Sequence, residues 1–71
     1  MQTKMNVVST VPRGYLELAQ HGSDPVIIGT GAIDYLCGGC GRVLLESVAT
    51  QDVDNLVVQC AGCSSLNMPE A

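Results

Sequence analysis

Tryptophan and phenylalanine are absent from the 71 residues, and tyrosine stands only at positions 15 and 35. A core must therefore come from Val, Ile and Leu, which bury less area per residue than aromatics. A chain this short buries little surface in any case, and domains of its size commonly need a disulfide, a metal or a partner chain as a staple. Positive charge is equally scarce. Lys4, Arg13 and Arg42 are the only basic residues, against a net charge of -4. They are too few and too scattered for a phosphate-binding stripe, which stands against non-specific nucleic-acid binding and against an anionic membrane surface. No apolar run approaches the roughly 20 residues of a membrane span. The opening MQTKMNVVSTVPRG has no apolar stretch of the signal-peptide kind. A cytoplasmic location is the resulting expectation, and in that compartment paired cysteines point to a metal or redox site before a structural disulfide.

Helical periodicity is missing as well. No segment sustains an apolar stripe at i, i+3, i+4 and i+7, and ELAQHG, the nearest approach, is stopped by Gly22. What remains reads as strand. Residues 1–12 are polar and mixed, closed by Pro12, and are expected as a flexible tail in which VVSTV has the makings of an edge strand. YLELA alternates from Tyr15, HGSDP (21–25) is a turn cluster, and VII (26–28) is β-branched. GTG (29–31) interrupts the chain before AIDYL (32–36). RVLLESV and LVVQ read as two further strands flanking the polar ATQDVDN (49–55). The expected organisation is a single domain over 13–68 with a short C-terminal tail at 69–71.

All four cysteines fall in two CxxC pairs, Cys37/Cys40 in CGGCG and Cys60/Cys63 in CAGC, with 19 residues between the pairs. Two residues between ligands allow one tight turn to aim both sulfurs at a single ion while its N–H groups donate to the thiolates. Gly38, Gly39, Gly41 and Gly62 supply the backbone freedom such turns need. Two turns facing one another surround a Zn²⁺ ion tetrahedrally, with Zn–S bonds of about 2.3 Å. Four thiolates leave no coordination position for a reacting water, so such a zinc site is structural and the protein is expected not to be an enzyme. Its charge of about -2 takes the whole molecule to about -6. Binding energy at such a site is folding energy, so residues 35–67 at least are expected to unfold without the ion. An iron site of the rubredoxin kind uses similar pairs but packs aromatics around the metal, which this chain lacks; electron transfer is the remote alternative.

The CG after the first pair, the run RVLLE, the strand LVVQ and the closing CAGCSSLN resemble zinc ribbons. More narrowly, residues 35–67 are similar to the Com-type zinc-finger translational regulators, with Leu44, Leu45, Leu66 and Asn67 in the places of that pattern. They are similar, too, to small bacterial zinc-ribbon proteins. The resemblance implies a small mostly-β zinc ribbon with two knuckles, one zinc on Cys37, Cys40, Cys60 and Cys63, and an RNA- or DNA-binding use as one alternative. The strand pattern adds a central antiparallel hairpin expected over about 43–59 and an N-terminal hairpin over about 14–36. The leading functional expectation is a zinc-stabilised, non-catalytic module for protein–protein interaction. The apolar content of 46% leaves a surface for a partner or for self-association.

Smaller motifs read as structure. His21 lies in a turn cluster and is expected in solvent. GTGA lacks the third glycine and the helix of a dinucleotide site, and DVDN lacks the Glu that closes a calcium loop. Asp34 and Tyr35 either support the first pair or alternate along a strand.

Overall fold

The computed structural model describes residues 1–69. The strands are β1 (Gln2–Lys4), β2 (Asn6–Val8), β3 (Leu16–Ala19), β4 (Ile27–Ile28), β5 (Ile33–Leu36), β6 (Val43–Val48), β7 (Leu56–Gln59) and β8 (Leu66–Met68). A 3-10 turn at Thr50–Val53 is the only helical element among the described residues. The strands make two mixed four-stranded sheets, ordered β1-β5-β6-β4 and β2-β8-β7-β3.

Each sheet is built outward from one antiparallel hairpin whose tip is a CxxC turn: β5 and β6 around Cys37–Cys40, β7 and β8 around Cys60–Cys63. The hairpins are short-range pairings that the glycine-bearing turns close locally. The earlier strands cover their outer edges. β1 lies parallel to β5, with Gln2 opposite Asp34, and β4 lies parallel to β6, with Ile27 opposite Leu45. β3 lies parallel to β7, with Leu16 opposite Leu56, and β2 lies antiparallel to β8. Both sheets feed one core. Tyr35, Leu44, Leu45 and Val48 come from the first, Leu56 and Val58 from the second, and Met5, Val53, Cys37 and Cys60 complete it. LVV of β7 is buried throughout, as an unbroken apolar run in an inner strand requires.

This architecture corrects three expectations. The stretch 43–59 is not a hairpin: β6 and β7 belong to different sheets. Ser47 and Asn55 bracket the connection with left-handed backbones (φ 54° and 55°), and the 3-10 turn between them bends the chain out of one sheet and into the other. Asp52 fixes that turn, accepting from Ala49 N–H at 3.2 Å. Nor do residues 14–36 form a hairpin. β3 and β4 also part to different sheets, because the edges they must cover, on β7 and β6, are in different sheets. The turn cluster between them is a crossing rather than a reversal. Finally, residues 2–8 are not a tail. Each short strand finds an open edge, and Met5 between them is buried, donating its N–H to Leu36 O at 2.8 Å. Of the tail expected at 69–71, residues 70 and 71 lie outside the described residues.

Two glycines are demanded by close approach. A Cβ at Gly31 would lie 2.6 Å from the carbonyl carbon of Val48, and one at Gly29 the same distance from Ser47 O. GTG is thus the place where the link from β4 to β5 presses on the end of β6.

Candidate metal centre

The two cysteine turns are the same structure made twice, with equivalent residues 23 positions apart. In the first, Cys37 N–H donates to Arg42 O (2.7 Å), Gly41 N–H to Cys37 O (2.9 Å) and Gly39 N–H to Cys37 Sγ (3.3 Å). In the second, Cys60 N–H donates to Ser65 O (2.9 Å), Ser64 N–H to Cys60 O (2.9 Å) and Gly62 N–H to Cys60 Sγ (3.3 Å). The residue after each second cysteine is left-handed: Gly41 at φ 83°, Ser64 at φ 63°. The glycine rule for such positions is met in one turn and broken in the other.

The turns face each other and bring all four sulfurs within 4.8 Å of one another. Cys37 Sγ and Cys63 Sγ are 3.5 Å apart, as are Cys40 Sγ and Cys60 Sγ. These are free thiols, far from the bonded sulfur separation of about 2.0 Å. Around a tetrahedral ion with metal–sulfur bonds of about 2.3 Å, sulfurs sit about 3.8 Å apart. The cluster needs only small adjustments to reach that shape. Cys37 and Cys60 are buried, Cys40 and Cys63 exposed, so the centre has one side in the core and one at the surface.

Two buried amides hold the turns, and they are the two buried polar side chains among the described residues, Gln20 and Asn67. Asn67 Oδ1 accepts from Gly38 N–H at 2.8 Å, while its Nδ2 is shared among Ser65 O (3.1 Å), Val58 O (3.4 Å) and Cys37 Sγ (3.6 Å). A residue of the second hairpin thereby carries the first cysteine turn. Gln20 does the matching task at Ala61, whose N–H donates to its Oε1 at 3.1 Å, and its own Nε2 is anchored on Asp24 O at 2.9 Å. Such supporting bonds fix ligand orientation and raise affinity at metal sites. Arg42 lies across the opposite turn. Its Nη1 donates to Gly22 O at 3.1 Å, and its Cζ is 3.1 Å from where a Cβ of Gly62 would stand.

Without an ion, three of the thiols depart from the ordinary value, and not all in the same direction. Burial pushes the Cys37 thiol up, but the N–H groups of Cys40 and Gly39 outweigh it and the group lies below its ordinary value. The Ser65 hydroxyl, 3.3 Å from Cys63 Sγ, and the Ser65 N–H hold Cys63 at about 6. The Arg42 N–H pulls Cys40 down, yet contact with Cys60 Sγ leads the effects that push it up to about 11. Cationic ligation equalises the set, since each ligand must be a thiolate.

All four predicted ligands thus come together in one cluster. Asp34 and Tyr35 do not join it: Asp34 Oδ1 accepts from Ser47 N–H at 2.9 Å, and Tyr35 is a core residue. His21 is exposed. Gln20 and Ser65 were not legible as supporting residues, and Asn67 was legible only through a family pattern. The usable signal was the second residue of each CxxC turn, whose N–H needs an acceptor from elsewhere in the chain. No family model, no curated protein and no solved structure matches this chain. The class that fold and site define is therefore a small mixed-β protein with a four-cysteine cluster positioned for one metal ion.

Proposed function

We propose that the chain is a zinc-ribbon-type module in which one structural Zn²⁺ on Cys37, Cys40, Cys60 and Cys63 holds the two sheets together, and that the module is non-catalytic. The observation that carries this reading is the convergence of four sulfurs within 4.8 Å on two backbone-matched turns. An all-thiolate set is soft, which favours zinc over hard cations, and four ligands close the coordination sphere to substrate. Metal analysis should find one zinc per chain, in a colourless protein; visible absorbance from bound iron would sink the assignment. Stripping the ion with a strong chelator should abolish the native circular dichroism and amide dispersion. Structural zinc contributes about 10–16 kcal/mol in small peptides, as much as or more than the whole net stability of a typical domain. A chelated chain that keeps its native spectra would refute the structural role.

The module's use is read as protein–protein interaction in the cytoplasm. Support comes from the net charge of -4 and from Val7, Leu16 and Ile28, large apolar side chains exposed on the outer strands β2, β3 and β4. Titration with single-stranded RNA and duplex DNA at low salt distinguishes this from a Com-like regulator. Binding that weakens as salt is added would favour the nucleic-acid reading.

A further inference from the structure

Two sulfur–sulfur contacts of 3.5 Å run across the turns. Each such pair joins an exposed sulfur to a buried one: Cys63 to Cys37 and Cys40 to Cys60, both at 3.5 Å. Each pair also joins one hairpin to the other, since Cys37 and Cys40 belong to the β5–β6 tip and Cys60 and Cys63 to the β7–β8 tip. An exposed thiolate beside a protected partner thiol is the arrangement in which a peroxide attacks one sulfur and the other resolves the product.

We propose that the centre is a redox-releasable clasp: peroxide joins Cys37 to Cys63 and Cys40 to Cys60, expels the metal ion and leaves the two sheets covalently stapled. This rests on the metal-site reading above. In each pair the exposed thiolate attacks one peroxide oxygen, and the O–O bond breaks. Sulfenic acid forms, and the hydroxide leaving group takes up a proton to become water. The buried thiolate then attacks the sulfenic sulfur, expelling a second hydroxide, which is protonated in turn. Each pair loses two electrons and one peroxide is reduced to two waters. For the whole centre, two peroxides and four protons convert the zinc tetrathiolate into two disulfides, free Zn²⁺ and four waters. The clasp then differs from simple demetallation, because the tie between the sheets is replaced and not lost.

The chain carries its own readout. Arg42 is the only basic residue between the two cysteine pairs, and Arg13 is the nearest before them. Trypsin therefore separates residues 14–42, with Cys37 and Cys40, from residues 43–71, with Cys60 and Cys63. The reduced, metal-loaded protein is treated with hydrogen peroxide in small steps, and free zinc is followed with a chromophoric chelator. Remaining thiols are blocked, and the digest is analysed by mass spectrometry without reductant. The expected result is one zinc released per two peroxides and a single species holding both peptides, with fragment ions assigning 37–63 and 40–60. Separate peptides, each closed by its own disulfide, would overturn the proposal. So would fragment ions assigning 37–60 and 40–63, or sulfinic acids in place of disulfides. A protein that is folded without zinc before oxidation defeats the zinc reading instead, and the same digest of that folded, reduced chain still decides the pairing.

Discussion

At the scale of single residues, the centre depends on side chains that never touch an ion. Asn67 contributes one acceptor and one amide group to four partners in the two hairpins. Asn67→Ala leaves the Gly38 N–H and the surrounding carbonyls short of partners, at a cost of about 1–3 kcal/mol. It should also lower zinc affinity roughly 10–100-fold, the usual effect of removing a bond that orients a ligand, measured by competition with a chromophoric chelator. Ser64 offers the opposite case. It sits exposed at φ 63°, where its counterpart is Gly41. Ser64→Gly should raise the unfolding free energy of the zinc-loaded protein by about 0.5–1 kcal/mol, the left-handed penalty less the added freedom of the unfolded chain; denaturant titration checks it. Protons compete for the same sulfurs. The metal-free chain is expected to unfold, so binding at neutral pH must displace protons from cysteine thiols of ordinary pKa, about 8.5. Apparent zinc affinity should therefore rise about tenfold or more per pH unit from 7 to 9. Isothermal titration in buffers of different ionisation enthalpy counts the protons directly.

At the scale of elements, the strands themselves were readable and their partners were not. VLLESV and LVVQ announced themselves by composition, and the two CxxC turns by spacing and glycine. What composition cannot state is which edge a two- to four-residue strand will meet. Ile27 and Ile28 suit any half-buried edge; they find β6 because GTG lets the following link lie against Ser47 and Val48. The seam of that link is testable. Gly31→Ala places a methyl 2.6 Å from the Val48 carbonyl carbon, and crowding a fixed backbone should cost about 1–3 kcal/mol. The loss should appear in denaturant titration with the zinc stoichiometry unchanged, since Gly31 touches neither cysteine turn. Residues 2–8 escaped the reading for a related reason. Their polar, exposed side chains look like a tail, while their stability comes from backbone hydrogen bonds to β5 and β8 and from one buried side chain, Met5. The quasi-repeat was hidden in the same way, because the two turns share hydrogen bonds more than they share residues beyond CxxC.

At the scale of the whole molecule, two four-stranded sheets meet over a core with a single buried aromatic, Tyr35. The four sulfurs stand where the two hairpin tips converge. The four-cysteine cluster thus bridges the two hairpins, and Asn67 ties them beside it. The pairing scheme has a consequence for biosynthesis. None of the first four strands pairs with another of the four: β1 waits for β5, β2 for β8, β3 for β7 and β4 for β6. A ribosome delivers the N-terminal residues first, at about 5–20 residues per second, yet they have nothing to fold onto until the cysteine hairpins emerge. Within this stretch the first four strands therefore stay unpaired until their partners among β5 to β8 have been made. Order spreads outward from the cysteine hairpins: β1 and β4 can dock once the first has formed, β2 and β3 only after the second.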